Sequence, residues 1–363
     1  MLGNMRMLRK TLFNLHMIAG LVAAFFVIVL GLTGSIMAFE EEIDHATHPR
    51  LFYVDAPGRA PLSLAALTQR LSASLPGPVV AYRMGVAPNL SYSLATPAGT
   101  VFVNQYTGEI LGTRNAPTWL NDVHQIHLRL LAGDTGKAIV SWAGVVMVLL
   151  TASGLYLWWP VKRVSIDAAA GGRRVWFDVH NAVGVVSFAF LIVLAFTGTI
   201  IGFERVTTPW IYSATGTHPS PGNVAVKPVP GANLIPPDDA VAIAARALPG
   251  AAAIAVNVAS GKAPYRVALR YPEDLTPGGR SRVFVHPYTG AILQAESSRT
   301  TAAGTRVVIL NRALHTGDIF GIATKILMSL ASLAAVAQVV TGTLMWWKRP
   351  RAARSRSAVV APR

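Results

Sequence analysis

Nine histidines punctuate a 363-residue chain that has no cysteine, and four of them recur at fixed spacings. His16 and His180 stand 164 residues apart, and each is followed four residues later by a glycine, Gly20 and Gly184. An imidazole and a residue without a side chain then share one helix face, where a flat, bulky group can rest. His127 and His315 stand 188 residues apart, each just ahead of an apolar stretch. Two imidazoles facing one another from different helices are the axial ligands of a six-coordinate haem b. Without cysteine the chain attaches no haem through Cys-x-x-Cys-His, builds no iron–sulfur cluster and makes no disulfide. Any redox group is held noncovalently, with histidine as the ligand.

The elements that must position these side chains are legible in the hydropathy. Hydrophobic residues are 52% of the chain and charged residues 13%, the composition of a membrane protein. The run from Thr11 to Phe39 holds one ionisable side chain, His16. As a helix it extends roughly 42 Å at ~1.5 Å per residue, ample for a hydrocarbon core of ~30 Å. Four stretches reach spanning length, about 12–39, 138–159, 176–203 and 322–347. The first is too long for a removable signal peptide and has no small-residue cleavage site behind it, so it is expected to stay as an anchor.

The chain reads as a duplication. At the 164-residue spacing Thr33-Gly34 matches Thr197-Gly198, and Phe39-Glu40 matches Phe203-Glu204. At 188 residues Gly133 matches Gly321, Lys137 matches Lys325, Gly154 matches Gly342, and Trp158-Trp159 matches Trp346-Trp347. A parallel repeat about an axis along the membrane normal brings each matched histidine pair to that axis from opposite sides. His16 and His180 then hold one haem b near the cytoplasmic face, and His127 and His315 a second near the outer face. Gly20 and Gly184 let the macrocycle approach the backbone. Lys137, Lys325, Arg129 and Arg312 lie near the outer pair, within reach of haem propionates. His124 has Arg312 instead of a histidine at its matching position, and is either the outer ligand itself or a contact to it.

Each of these assignments has a structural alternative. Membrane histidines also serve as hydrogen-bonding glue between helices, and His127 and His315 could stand in wet interfacial loops. Thr47-His48-Pro49 and Thr217-His218-Pro219 are turn formers or part of a substrate site. His45 and His286 read as surface residues, and Glu40 and Glu204 as interfacial anchors paired with arginine.

Basic residues set the orientation, because Lys and Arg beside spans stay in the cytoplasm. Arg6, Arg9 and Lys10 precede the first span; Lys162, Arg163, Arg173 and Arg174 fill the short loop between the second and third; Lys348, Arg349, Arg351, Arg354, Arg356 and Arg363 follow the fourth. These are 13 of the 32 basic residues, so most of the net charge of +15 is topology signal and no nucleic-acid partner is implied. Both termini are expected in the cytoplasm, with the two intervening segments outside.

Those segments carry their own pattern. Leu62–Leu75 reads as an amphipathic helix with Ser63 as its N-cap and Pro76-Gly77 as its stop. Strands follow near 79–85, 90–96 and 100–104, and VFVNQYTGEILG (101–112) folds back at Tyr-Thr-Gly. The second segment repeats this with a helix over 238–248, strands at Val256 and 266–271, and VFVHPYTGAILQ (283–294). Each is expected to be one helix on a small antiparallel sheet. The fold class is an α-helical membrane protein, four transmembrane helices from a tandem parallel repeat, with two small periplasmic α+β domains. Its divisions are a first span to 40, a soluble domain over 41–121, the second span with its histidine element over 122–160, a cytoplasmic loop over 161–174 and the third span over 175–204. The second soluble domain covers 205–308, the fourth span with its histidine element 309–348, and a cytoplasmic tail 349–363.

The Leu-His-x3-Gly opening of the first span, the duplicated Tyr-Thr-Gly hairpin, the Leu-His elements before Gly133 and Gly321 and the Trp-Trp ends resemble the PepSY-associated transmembrane helix family. The resemblance covers nearly the whole chain and lapses in the tail. It implies two PepSY-like domains in the periplasm and bound haem b in a bacterial inner-membrane ferric-siderophore reductase. Electrons would come from a cytoplasmic or quinol donor, and the substrate would be a ferric hydroxamate siderophore. Two other classes compete. A siderophore permease is disfavoured because no Gly/Pro-interrupted pair of spans lies at mid-membrane. A membrane-tethered PepSY binding or regulatory module would leave the histidines structural.

Overall fold

The computed structural model describes residues 2–56, 58–160, 162, 164–222 and 224–349. Arg163, Arg351, Arg354, Arg356 and Arg363, counted above as topology signal, lie outside the described residues. In chain order the first half contains α1 (Leu2–Met37), α2 (Glu40–Thr47), α3 (Pro49–Phe52), α4 (Leu64–Leu71), β1 (Ala81–Arg83), β2 (Tyr92–Thr96), β3 (Gly99–Val103), β4 (Ile110–Arg114), α5 (Trp119–Arg129) and α6 (Gly133–Trp158). The second contains α7 (Gly172–Gly202), α8 (Glu204–Ala214), α9 (Pro237–Ala247), β5 (Ala252–Asn257), β6 (Tyr265–Arg270), β7 (Ser281–Val285), β8 (Ile292–Glu296), α10 (Ala303–Thr316) and α11 (Ile322–Trp347).

Four of these helices, α1, α6, α7 and α11, are long and apolar enough to cross a membrane. They pack in the cyclic order α1, α6, α7, α11, so α1 and α7 stand diagonally opposite. Ala23, Val27, Leu191 and Ala335 meet at the centre with Val146, Met147 and Val339 against them. Small residues set the spacing, as they do where packing rather than water drives association. A Cβ on Gly31 would stand 2.8 Å from the Ser332 carbonyl oxygen, and one on Gly144 2.8 Å from Thr199 Oγ1. Large apolar side chains such as Val22, Phe25, Leu149, Val186 and Phe196 point outward, exposed to what a bilayer would fill.

The soluble segments form the expected helices and hairpins, and Ser63 caps α4 by accepting from the Ala66 N–H at 3.1 Å. They do not form two separate sheets. One antiparallel sheet of eight strands runs β4-β3-β2-β1-β5-β6-β7-β8, joined where β1 pairs with β5, Tyr82 opposite Val256. Either strand alone would end its module in a row of unpaired N–H and C=O groups, and pairing the two edges satisfies both. The core is shared as well. Leu64 and Leu71 of α4, Ala240 and Ala244 of α9, and Tyr82, Leu94, Val256, Val267 and Val283 of the strands are buried in one cluster. Asp238 in the first turn of α9 accepts the Leu64 and Ala65 N–H groups at 2.7 and 2.8 Å, so a carboxylate from one half caps the helix of the other.

The opposite face of the sheet is tied to the bundle through α2 and α3, which continue directly from α1. Phe52 packs edge-on against Phe102 at 5.2 Å, and the Arg114 guanidinium of β4 donates to both oxygens of Asp44 on α2 at 2.8 and 2.9 Å. Burial alone would raise the Asp44 carboxyl, but hydrogen bonding and charge from Arg114, helped by His48, hold it below the ordinary carboxylate range. A depressed acid contributes stability that is fully present above its unfolded value of ~3.9 and is lost as pH falls through the lower folded value. Arg114→Gln is therefore expected to lower the melting temperature at pH 7, with the gap to the unaltered protein closing below about pH 4. An equal gap at pH 7 and pH 3 would mean that the ion pair contributes nothing.

Candidate functional site

The four spaced histidines share one local construction. His16 Nδ1 lies 2.9 Å from Ser153 Oγ, His127 Nδ1 3.0 Å from Thr33 Oγ1, His180 Nδ1 2.9 Å from Thr341 Oγ1, and His315 Nδ1 3.1 Å from Thr197 Oγ1. Each of those hydroxyls gives its proton to the carbonyl one turn back, on Leu149, Val29, Ala337 or Val193, at 2.6–2.7 Å. A hydroxyl has a single proton to donate, so toward the imidazole it must accept. The network therefore assigns the proton to Nδ1 in all four rings and leaves Nε2 with its lone pair, the state in which imidazole binds a metal.

A glycine follows each hydroxyl residue and makes room for the ring. A Cβ on Gly34 would stand 3.0 Å from His127 Cε1 and one on Gly198 2.9 Å from His315 Cε1, whereas the gaps are 3.4 Å for Gly154 with His16 and 3.6 Å for Gly342 with His180. The two levels should respond oppositely to alanine. Gly198→Ala and Gly34→Ala are expected to displace the ring and cost about 1–3 kcal/mol by overpacking. Gly342→Ala finds ordinary contact distance and gains up to ~1 kcal/mol of helix propensity. Melting curves of the four alanine variants check this, and equal shifts at both levels would contradict it.

Two of the histidines meet across the bundle. The His127 and His315 ring centroids are 6.4 Å apart with the planes at 47°. Two imidazoles on one metal, with bonds of roughly 2 Å and a further ~1 Å from nitrogen to ring centre on each side, have centroids about 6 Å apart. His16 and His180 sit on the diagonal helices α1 and α7, at the other level of the bundle. Along α1, Thr33 is 17 residues beyond His16, as Thr197 is beyond His180 along α7, which separates the two levels by roughly 25 Å.

The hydropathy runs the histidine elements straight into the second and fourth spans, and the structure breaks the chain there. His127 is carried on the short α5 and His315 on α10, packed against α1 and α7 respectively. Leu130 and Leu131 take φ of 50° and 56°, left-handed conformations that cost of order 1 kcal/mol or more each for such side chains. The reversal after α5 is tight enough that a Cβ on Gly136 would collide with the Arg129 carbonyl oxygen. In the second half the positive φ values fall on Gly317 and Gly321 instead.

The remaining expected site residues are otherwise engaged. His124 Nδ1 pairs with Glu40 at 3.0 Å, so His127 is the residue that meets His315. Lys137 bonds Glu204 at 2.6 Å and Lys325 bonds Glu42 at 2.7 Å, each lysine crossing to a carboxylate of the other half. Glu40 and Glu204 thus pair with a histidine and a lysine, where the sequence suggested arginine. Arg129 bonds Asp134 at 2.9 Å, and Arg312 is exposed on α10. A Cβ on Gly20 would meet Leu150 Cδ2 at 3.9 Å, and one on Gly184 would meet the Gln338 side chain at 3.3 Å, so both glycines face a neighbouring helix. His48 pairs with Asp44, His45 stacks on Phe52, His286 accepts two turn N–H groups and His218 is exposed.

The hydroxyl partners Thr33, Ser153, Thr197 and Thr341 are the site residues that sequence reasoning missed. Their signal was a Ser/Thr-Gly dipeptide in every span, of which only the glycines and the Thr33/Thr197 match drew attention. Among the described residues no three His, Cys, Asp or Glu side chains group as a metal site. What the bundle brings together is one pair of imidazoles, His127 and His315.

Over 87 residues, 23% of this chain, the sequence is 31% identical to an uncharacterized Pseudomonas aeruginosa protein, PA4219. The match spans about 22% of that relative's length. The family described as PepSY-associated TM region matches residues 13–349, taking in all four histidines, their hydroxyl partners and the joined sheet. By that match the chain belongs to the PepSY-associated TM region family.

Proposed function

We propose that the protein is a di-haem reductase of a bacterial inner membrane that delivers electrons to Fe(III) held by a hydroxamate siderophore in the periplasm. The single observation that carries the reading is the set of four imidazoles with Nδ1 donating to a hydroxyl, two of which, His127 and His315, meet across the bundle. The constant spacings of their partners support a tandem repeat, and the basic residues beside the spans support cytoplasmic termini and a periplasmic sheet.

In this reading His16 and His180 hold one haem b and His127 and His315 the other. When bound, haem b supplies one-electron transfer, with a potential set by its ligands and their hydrogen bonds. The hydroxyls orient the rings and raise the basicity of Nε2, and the apolar bundle keeps water and competing ligands from the iron. The donor is cytoplasmic or a quinol. One electron converts Fe(III) to Fe(II), which the hard hydroxamate oxygens hold far less well, so reduction releases the metal for uptake.

The test is a reduced-minus-oxidised spectrum of the purified full chain, followed by addition of a ferric trihydroxamate. An α-band near ~560 nm that is bleached by the chelate is expected. A colourless preparation from haem-replete cells would discard the reductase and leave a membrane-tethered binding module.

A further inference from the structure

The face of the sheet turned toward the bundle is covered at its two ends and open in the middle. At one end Phe52 and Asp44 engage Phe102 and Arg114; at the other Gln294 Nε2 donates to the Pro221 carbonyl at 3.2 Å, in the segment that follows α8. Between them the strand register fixes a row of Arg83, Ala255, Ala268 and Arg282 across β1, β5, β6 and β7. Arg266 and Arg270 flank Ala268 on β6, two residues to either side. With strands ~4.8 Å apart and alternate residues ~7 Å apart, four arginines surround a floor of two alanines, the row spanning about 14 Å.

Countercharge does not match them. Glu296 is the one acid that the strands bring to this face, and it takes Arg282 at 3.4 Å. Arg266 bonds only the neutral Asn257 Oδ1, at 3.2 and 3.4 Å, and among the described residues no carboxylate pairs with Arg83 or Arg270. Arg83, Arg266 and Arg282 are exposed. Just ahead of β7, burial and the charges of Arg312 and Arg282 hold Arg280 below the ordinary arginine pKa, against the pull of Asp274 and Asp318.

The strands themselves do not require these arginines. Tyr82 pairs with Leu94 as Val256 pairs with Val267, which puts Arg83 at the place of Asn257, Arg266 at that of Ser93 and Arg282 at that of Thr100. Each half builds the same ladder with an uncharged residue where the other has arginine. Like charges gathered on an open face repel one another and attract an anion.

We infer that this face binds a carboxylate-bearing, anionic ferric chelate under the sheet. The carboxylate meets Arg266, the body of the chelate lies on Ala255 and Ala268, and Arg83 closes on it from the other side. Arginine suits the task because its fork of N–H groups matches a carboxylate. That the anion is the substrate rests on the reductase reading, which it narrows to hydroxamate chelators that also carry a carboxylate.

The test is calorimetric titration of the full chain in phosphatidylcholine nanodiscs with gallium(III) complexes, redox-inert stand-ins for Fe(III). Desferrioxamine B ends in an ammonium group, its N-succinyl derivative in a carboxylate, and its N-acetyl derivative is uncharged there. The succinyl complex is expected to bind about tenfold more tightly than the acetyl complex, and the ammonium complex more weakly still. Raising the salt from roughly 50 to 500 mM should shrink that preference. Arg266→Ser and Arg83→Asn, each installing the residue of the other half, should weaken the succinyl complex about tenfold and leave the acetyl complex unchanged. No binding of the succinyl complex at roughly 1 mM, equal binding of the two derivatives, or a preference that survives both substitutions overturns the proposal. So does a preference that vanishes in nanodiscs containing phosphatidylglycerol, which would give the face to lipid headgroups. Gallium takes no electron, so the titration reads this face with or without haem; a colourless protein that kept the preference would end the reductase reading and leave the anion site standing.

Discussion

His180→Ala, purified from haem-replete cells, is expected to carry about one haem per chain where the unaltered protein carries about two. His16→Ala should lose the same one. On the proposed ligation, in which each pair holds one iron, the second loss within a pair costs little beyond the first, as happens when residues act as a unit. The double variant His16→Ala/His180→Ala should thus match either single variant, and His180→Ala/His315→Ala should carry none. Pyridine haemochrome analysis measures all of these directly. A full complement in both single variants at one level would remove that pair as ligands, whatever became of the other.

Removing a hydroxyl tests the orientation of the ring rather than its presence. Thr197→Val keeps the shape of the side chain and takes away the hydroxyl that accepts from His315 Nδ1–H. Losing such a partner typically costs 10–100-fold in affinity for the bound group, and that is the range expected on haem titration of the stripped protein. Thr33→Val should do the same to His127. Thr197→Ser restores the oxygen and should recover most of the loss. Equal affinity in the valine and serine variants would show that the hydroxyl only packs.

Several parts of the molecule were legible because they depend on neighbours in the chain. The limits of α11 coincide with the apolar run 322–347, since a span is recognised by one property of consecutive residues. Ser63 caps α4 as its type and place require, and both Tyr-Thr-Gly turns fold back at a glycine of positive φ, Gly108 and Gly290. The histidine spacings were equally open to inspection. The short helices α5 and α10 were not, because the break after Arg129 is imposed on two leucines that have no intrinsic preference for it.

The amino-acid order by itself determined that four helices are able to span a bilayer, that two histidines sit within spans and two ahead of them, and that each soluble segment makes a helix and hairpins. These are local consequences of periodicity and turn chemistry, complete within a few residues. Only the tertiary structure decided which hydroxyl orients which imidazole, partners 94 to 161 residues apart, and that His127, with His124 paired elsewhere, faces His315. It also decided that two sheets become one across β1 and β5. Such contacts follow from how whole helices and strand edges pack, and a buried hydrogen bond or an open edge finds its partner in space rather than in sequence.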